Sequence, residues 1–386
     1  MKNYDVIIIG GGASGLMAAL QFKNSKKRIA IFEAGYTLGK KILVTGNGRC
    51  NLTNINTNSS FYNTNIDAYL SKFSVKDTLR FFNGIGLETY SDESGRVYPI
   101  TNAAKSVLDV LTKNVYKLKN VDFMPNFRVD NVKSVGSGFA IYNNEEIYGA
   151  KNLIISTGNI DNRFIKDLTN ENYELYPSLV ALTTAESTKN LDGVKISNVK
   201  ITAECNGKKK TDAGELLFKD QGLSGIAIFN LSTLFARKKS FEGKITINLL
   251  PGKNQKQIAK IIKERCQIYD NVTDLFTGMF VDKIREELFR RARVNEQLKS
   301  NRLSKDKIEL LSELIHGLVF HVNGCYNNNQ VMSGGVKLSN LNNNLEHKNI
   351  KGLYFTGEAI DVDGECGGYN LQWAWTSGAI AGKSLK

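Results

Sequence analysis

The residues that most constrain the fold lie at the start of the chain, where a glycine-rich turn follows a short apolar run. Residues 6–9 (Val-Ile-Ile-Ile) have the composition of a strand buried on both faces of a parallel sheet. Gly10, Gly12 and Gly15 follow in the spacing G-x-G-x-x-G. In a dinucleotide-binding unit these glycines serve a tight turn, the close approach of a pyrophosphate, and close packing of helix on strand.

A helix is predicted immediately after the glycines, over residues 13–22. Its first residues, Ala13 and Ser14, would present free backbone amides to a ligand. The N-terminus of a helix also carries the positive end of its dipole, and both effects favour a bound phosphate.

The next apolar run, residues 28–32, predicts a second strand that ends at Glu33 and Ala34. Glu33 stands 18 residues after Gly15, where a carboxylate can accept hydrogen bonds from an adenosine ribose. The order strand, turn, helix, strand and acid predicts a dinucleotide site rather than a structural turn. Because flavin enzymes of the glutathione-reductase type commonly begin with this unit, its position at the chain's start favours FAD.

Length and composition indicate an ordinary globular protein. With 386 residues, of which 41% are hydrophobic and 23% charged, the chain is long enough for two or three domains. No apolar run approaches the ~18 residues of a membrane span, and residues 6–9 are too short for a signal peptide. We therefore expect no membrane association and a cytoplasmic location.

The five cysteines are far apart, odd in number and without a C-x-x-C pair. This disfavours a disulfide framework, a zinc site and dithiol redox chemistry, so no metal site is predicted. The net charge of +13 would suit a nucleic-acid partner. Lysine, asparagine and isoleucine are all abundant, however, and proline falls to four residues, a joint bias that indicates genome composition. Nucleic acid is therefore not the favoured partner.

A basic, glycine-rich stretch at residues 39–51 predicts a loop around an anionic ligand. An alternative is a solvated glycine loop in which Cys50 is only a small buried residue. The residues expected to face phosphates or the edge of a flavin ring are Lys40, Lys41, Gly46, Gly48, Arg49, Cys50 and Asn51.

The remainder of the N-terminal half alternates helices and strands. The patterns predict helices within residues 67–86 and 102–118, a hairpin over 88–100, an antiparallel meander over 121–148, and a buried strand at 153–155. That strand runs into a second small-residue turn at Thr157 and Gly158, which would let backbone pass close to a cofactor.

The middle of the chain differs in pattern from both ends. We predict an α/β fold in which a discontinuous Rossmann-type FAD-binding domain, glutathione-reductase-like, comprises residues 1–185 and 318–386. The insertion comprises a β-rich domain at 186–250 and a helical domain at 251–317. The substrate is expected between the inserted part and the Rossmann-type part.

The C-terminal stretch carries a second glycine-rich signature. A short strand would deliver Gly357 and Glu358 to a turn, where Glu358 suits the ribityl hydroxyls of a flavin. A helix over 371–385 follows, and its Gly378 and Gly382 permit close approach of another backbone. The amides before that helix could hydrogen-bond the isoalloxazine edge, and they belong to Gly367, Gly368, Tyr369 and Asn370.

Several segments together resemble the HI0933-like flavoprotein family, also called YhiN or aminoacetone-oxidase-like, which is related to bacterial reductases of bile-acid intermediates. The matching segments are residues 5–15, 46–54, 214–218, 222–225, 332–336, 356–358 and 367–372. The resemblance implies FAD, a three-part architecture and oxidoreductase activity. It also implies that Val129 meets the adenine through its backbone, and that the flavin is lined by Ser14, Glu33, Arg49, Cys50, Asn51, Glu358 and the turn 368–370.

The favoured hypothesis is an FAD-dependent oxidoreductase of an unidentified small molecule, with hydride transfer through flavin N5 and NADH or NADPH as a candidate electron donor. Two alternatives stay open, an RNA-acting flavoprotein and a non-catalytic FAD-binding protein. The sequence predicts no oligomeric state.

No catalytic residue is assigned. His321 could protonate substrate, although a packed core histidine is the more common role. Cys366 is a candidate acid or redox-sensitive thiol. Arg96 and Tyr369 could bind an anionic substrate or could form structural pairs.

Overall fold

The computed structural model describes residues 2–143, 146–158, 163–171, 173–326 and 331–386. These residues form two compact units, one from Met1–Leu175 with Val331–Lys386 (unit 1) and one from Tyr176–Gln330 (unit 2).

The strands, in chain order, are β1 (Lys2–Ile9), β2 (Ile29–Phe32), β3 (Thr53–Asn54), β4 (Thr89–Ser91), β5 (Arg96–Pro99), β6 (Val121–Met124), β7 (Asn131–Val135), β8 (Gly138–Tyr142), β9 (Ile147–Ile155), β10 (Tyr176–Ser178), β11 (Leu182–Thr184), β12 (Lys195–Cys205), β13 (Lys208–Lys219), β14 (Gly222–Ser224), β15 (Gly243–Asn248), β16 (Leu318–Cys325), β17 (Val331–Ser333) and β18 (Leu353–Phe355). The α-helices are α1 (Ala13–Leu20), α2 (Asp67–Leu70), α3 (Val75–Gly84), α4 (Ala104–Tyr116), α5 (Arg163–Thr169), α6 (Ile226–Arg237), α7 (Gln255–Ile268), α8 (Asp282–Ala292), α9 (Lys305–His316) and α10 (Tyr369–Ser384). A 3₁₀ segment covers Lys40–Gly48 and is kinked at Thr45, Gly46 and Asn47, whose φ and ψ are not helical.

Unit 1 is built on a sheet that, in the described residues, has seven strands in the order β6-β2-β1-β9-β8-β7, with β18 also paired to β9. The pairs β6·β2, β2·β1, β1·β9 and β9·β18 are parallel. Val6 and Ile8 pack in one hydrophobic core, and Ile7 and Ile9 in another, so β1 is buried on both faces as its composition predicts. The predicted Rossmann-type α/β class is confirmed.

The predicted meander over 121–148 is partly wrong. β6 pairs in parallel with β2, with Val121 opposite Ile29, and is an edge strand of the parallel layer. Only β7, β8 and the first residues of β9 form the antiparallel part. Alternation along a strand shows which side chains are buried but not which strand lies beside it, and that was the source of the error.

Two helices pack tightly against each other in unit 1. A Cβ added to Gly378 of α10 would lie 2.3 Å from the Ser14 carbonyl oxygen of α1, and one added to Gly382 would lie 2.6 Å from the Ala18 oxygen. The absence of both Cβ atoms permits the close approach that the glycine spacing predicted. The first and last helices of the chain are thereby joined.

Unit 2 contains a closed barrel of six strands in the order β11-β14-β13-β12-β15-β16. Barrel residues such as Ile201 share one hydrophobic core with Leu231 of α6 and with Ile258, Leu288 and Leu311 of α7, α8 and α9. That the β-rich and helical stretches are separate domains stays a prediction.

The compact units are divided at positions other than the predicted domain boundaries, and those boundaries stay a prediction. The divisions fall after Leu175 and after Gln330 rather than at 185/186 and 317/318. The reason is that β11 and β16, which the prediction left in the FAD-binding domain, pair with β14 and β15 as strands of the barrel in unit 2. In the part of the chain that the structure describes, no helix combines the length and apolarity needed to cross a membrane.

Candidate functional site

The carboxyl ends of the parallel strands bring the predicted residues of unit 1 to one edge of the sheet. β1 leads into the glycine turn and β2 into Glu33, whereas Thr157 and Gly357 follow two residues after the ends of β9 and β18. In open α/β sheets this edge is where ligands bind. Residues more than 300 positions apart in the chain therefore contribute to one site.

The three motif glycines meet different surroundings. A Cβ on Gly10, whose φ is +102°, would lie 2.4 Å from the Ser156 carbonyl oxygen, and one on Gly15 would lie 2.0 Å from the Gly10 oxygen. A Cβ on Gly12 would meet no described atom within 4 Å. Gly10 and Gly15 therefore allow the turn and the helix packing, whereas Gly12 borders open space where a pyrophosphate could approach.

Glu33 is held at the end of β2 by two backbone hydrogen bonds. The Gly11 N–H donates to Oε2 at 2.8 Å, and the Gly35 N–H donates to Oε1 at 2.8 Å. The carboxylate thus connects the glycine turn with the segment after β2. Each carboxylate oxygen has a further lone pair with which it could accept a ribose hydroxyl.

The segment before β7 lies beside this strand end. The Phe127 N–H donates to the Glu33 carbonyl oxygen at 2.9 Å, and the Asn126 N–H donates to the Gly35 oxygen at 3.0 Å. Val129, partly buried, follows in a loop rather than on a strand as expected. Its proximity in sequence to Phe127 is consistent with the predicted adenine contact, which stays a prediction.

Glu358 forms an ion pair with Lys41, whose Nζ lies 2.7 Å from Oε2. Oε2 would also lie 3.7 Å from a Cβ on Gly158, which places the second small-residue turn beside the pair. Because Lys41 and Glu358 are far apart in the chain, nothing in the sequence around either residue predicts this ion pair. The fold brings them together.

A chain of hydroxyl groups runs beneath the site. The Ser156 and Thr356 hydroxyls are 2.7 Å apart, and Thr356 donates to the Ser14 Oγ at 3.1 Å. The Gly357 N–H donates to the Ser377 Oγ at 2.8 Å. Sequence reasoning missed Ser156, Thr356 and Ser377 as supports, although the small polar residues at both strand ends were a signal.

The turn before α10 has the geometry of a close backbone approach. Gly367 and Gly368 have φ of +140° and +97°, and a Cβ on Gly368 would lie 2.6 Å from the Thr53 carbonyl. The Asn370 side chain is occupied within the turn, because it accepts from the Gly364 N–H and donates to the Gly364 oxygen. Asn370 therefore shapes the turn, and its backbone is the part left to face a ligand.

Tyr369 is buried, with its ring stacked on Phe61 at a centroid distance of 4.3 Å. Burial raises the pKa of the Tyr369 hydroxyl. This placement favours the structural alternative over binding of an anionic substrate by the side chain.

Two buried acceptors at the site have no hydrogen-bond partner among the described residues, Asn51 Oδ1 and Thr157 Oγ1. A Cβ on Gly368 would lie 2.8 Å from the Asn51 oxygen, so this atom adjoins the turn before α10. Buried polar atoms are rarely left unpaired, and a bound molecule that donates a hydrogen bond would satisfy them. With the open space at Gly12, they fit an elongated dinucleotide.

The 3₁₀ segment and the residues after it show mixed placements. Lys40, Gly48 and Arg49 are exposed, and the Arg49 guanidinium lies over the Tyr98 ring at 4.7 Å. Gly46 is in the left-handed region at φ +56°, and a Cβ there would lie 2.7 Å from the Asn51 nitrogen. The absence of a side chain at Gly46 therefore allows the Asn51 backbone to lie close beside it.

Cys50 lies in the hydrophobic core of unit 1 and is fully buried. Burial raises the pKa of its thiol to about 12. A thiol with such a pKa is protonated at neutral pH, which favours the structural alternative over a reactive group.

Cys50 is therefore expected to resist iodoacetamide in the folded protein at pH 8 and to react once the chain is unfolded. Cys366, which is partly exposed, is the internal comparison within the same sample. Peptide mass spectrometry reports both sites. Native labelling of Cys50 as fast as that of an unfolded chain would contradict its assignment as a buried neutral thiol.

The histidines do not lie at this sheet edge. His347 is buried and contacts Glu171 at 2.9 Å. His321 belongs to unit 2, is 63% exposed and contacts Glu186 at 2.6 Å, so it is not the core residue expected. It also lines an open cleft of about 600 Å³ together with Glu204, Glu242 and Lys244.

The fold and this site define a Rossmann-type, FAD-binding class of protein. A family model described as the HI0933-like protein Rossmann domain matches residues 4–384. The chain belongs to this HI0933-like family, as its motifs predicted.

Named relatives fall into two groups. The 3-dehydro-bile acid delta(4,6)-reductase of Clostridium scindens is 32% identical over 405 residues, which cover 98% of each chain. The ribosomal RNA dihydrouridine synthases of Haemophilus influenzae and Escherichia coli are 28% and 27% identical and cover 98% and 100% of this chain. The protein is an FAD-dependent oxidoreductase by family.

Among solved structures, the 3-ketosteroid delta1-dehydrogenase from Sterolibacterium denitrificans has a TM-score of 0.50 and 12% identity, and the match covers 100% of this chain and 99% of that one. This similarity shows a shared fold.

Proposed function

We propose that the protein reduces a carbon–carbon double bond conjugated to a carbonyl group in a small molecule, with NADH or NADPH as the electron donor. The observation that carries the proposal is the full-length similarity to a reductase of a 3-dehydro-bile acid. The dihydrouridine synthases support the same chemistry, since dihydrouridine is uridine whose double bond next to a carbonyl has been saturated.

The residues that would hold FAD are spread along the sheet edge. Gly12 and the start of α1 would face the pyrophosphate, Glu33 the ribose, and the Val129 backbone the adenine. The bound flavin supplies the hydride through N5.

The protein would supply orientation and electrostatics around the flavin. Glu358, held by Lys41, would accept ribityl hydroxyls, and Asn51 and Thr157 would pair their free acceptors with the ring. The N-terminus of α10, a helix of 16 residues, favours negative charge near Gly368 by about 0.3–1 kcal/mol.

Stopped-flow absorbance under anaerobic conditions tests the proposal. NADH or NADPH is expected to bleach the bound flavin, and a steroid 4,6-dien-3-one is expected to restore its colour, whereas the saturated 3-oxo steroid is not. Equal rates of recovery with the conjugated and saturated steroids would overturn the proposed substrate class. If neither NADH nor NADPH reduced the bound flavin, the nicotinamides would be excluded as donors. If no other donor reduced it either, a non-catalytic flavin protein would be favoured.

A second candidate substrate is uridine in RNA. Two relatives are named for that reaction, and residues 176–330 contain 25 Lys and Arg against 17 Asp and Glu, a net charge of +8 within the total of +13. Incubation of reduced protein with ribosomal RNA, followed by nucleoside mass spectrometry, tests it. Dihydrouridine above the level in a flavin-free control would favour RNA over a small molecule.

A further inference from the structure

The exposed face of α7 in unit 2 carries a line of lysines. Lys256, Lys260 and Lys263 belong to the helix and are four and three residues apart. Lys253 lies one residue before the N-cap Asn254, and all four lysines are exposed. The three lysines of the helix therefore lie on one side of it, with Cβ atoms of successive members about 5–6 Å apart, and Lys253 adds a fourth positive charge before the N-terminus. We call these four residues the lysine face.

The lysine face is electrostatically unfavourable for the isolated helix. Like charges at this spacing repel, and cations near a helix N-terminus oppose the helix dipole. The first turn contains no acidic residue to offset them, since the capping box pairs Asn254 with Gln257. Within the described part of the chain, one ion pair reaches the face, an exposed Lys260–Glu264 contact at 3.7 Å.

The next helix in the chain, α8, shows the opposite arrangement. Arg285 contacts Asp282 at 2.6 Å, and Arg290 and Arg291 both contact the buried Glu287, at 2.7 and 2.6 Å. The three arginines of α8 are therefore paired with carboxylates of the same helix. Lys253, Lys256 and Lys263 of the lysine face have no ion pair in the described structure.

We propose that the lysine face is a docking surface for the phosphate backbone of RNA. The inference deepens the second candidate function, in which RNA is the substrate. Lysines at this spacing can reach successive phosphates of one strand, and an RNA backbone relieves both the mutual repulsion and the unfavourable dipole. Binding of this kind positions an RNA without reading its bases.

An anionic membrane fits the same helix less well. A membrane-surface helix inserts its apolar side into the lipid. Ile258 and Ile262, on the other side of α7, are fully buried in the core of unit 2. They are not available for insertion.

The test is the salt dependence of binding to a fluorescein-labelled RNA hairpin, measured by anisotropy on the full-length protein. The variant K253Q/K256Q/K263Q is expected to bind at least tenfold more weakly at low salt. The slope of log affinity against log salt is expected to shrink by about 2–3, because each lost phosphate contact removes about 0.7–0.9. The matched control is K23Q/K26Q/K76Q, which removes three exposed lysines from unit 1.

Equal weakening by both triple variants would assign the effect to net charge and overturn the proposal, as would no weakening by either. The proposal would also be overturned if poly-glutamate displaced the labelled hairpin as effectively as unlabelled RNA does. The same holds if the lysine-face variant lost binding to phosphatidylserine vesicles while its RNA binding was unchanged. Flavin reduction by nicotinamides should be the same in all three proteins, so failure of the docking surface and failure of the reductase function are distinguishable.

Discussion

Gly12→Ala is expected to weaken FAD binding at least tenfold while changing the free energy of unfolding of the apoprotein by less than about 1 kcal/mol. The added Cβ meets no described atom, and the φ of −75° suits alanine. The methyl group would instead occupy the space that a pyrophosphate needs, and overpacking of this kind costs about 1–3 kcal/mol. Fluorescence titration of apoprotein with FAD and denaturant unfolding measure the two quantities.

Gly10→Ala is the matched comparison, since it adds the same methyl group two residues away. It is expected to destabilise the apoprotein by about 3 kcal/mol or more, through a left-handed backbone and a contact of 2.4 Å with the Ser156 oxygen. If Gly12→Ala were destabilising to the same extent, or bound FAD like the wild type, Gly12 would not border the cofactor.

Glu33→Ala is expected to raise the dissociation constant of FAD at least tenfold and to lower the free energy of unfolding by about 2 kcal/mol. Stability falls because the Gly11 and Gly35 N–H groups lose their acceptor. An amide left buried and unpaired costs about 1–3 kcal/mol, and the cost is smaller where water can reach the amide. Retention of flavin absorbance after desalting and thermal unfolding of the apoprotein measure the two effects.

Asp5→Ala provides the control for Glu33. Asp5 also accepts a backbone hydrogen bond, from the Arg28 N–H at 2.9 Å, and it pairs with Lys151 at 2.8 Å. It lies on β1 before the strand's carboxyl end, so its loss should reduce stability without affecting FAD. Unchanged flavin retention in Glu33→Ala would show that Glu33 only ties the glycine turn to the end of β2.

The sequence predicted the individual residues of the site better than the contacts between distant residues. Gly10, Gly12 and Gly15 occupy the positions expected of a turn, an open approach and a close packing contact, because these needs are set within about fifteen residues of chain. The sequence also predicted a strand that leads to the turn at Gly357 and a helix containing Gly378 and Gly382, and both are present. The ion pair between Lys41 and Glu358 and the hydroxyl chain through Thr356 depend on contacts across the fold and left no local signal.

Side-chain roles were the least predictable part. Tyr369 and Cys50 belong to motifs expected to line the cofactor, yet their side chains are buried against Phe61 and in the core of unit 1. A motif identifies the backbone conformation of a segment more directly than the direction of each side chain. His321 was expected to be packed, but it lies on an exposed side of β16 beside Glu186.

The sequence by itself determined the parallel βαβ unit, its dinucleotide motif and the family, because these depend on the spacing of neighbouring residues. Only the tertiary structure decided that β6 joins the parallel sheet and that β11 and β16 close a six-stranded barrel. Strand pairing is a choice among distant segments with similar alternation, and its free energy comes from packing that exists only once the whole unit has folded.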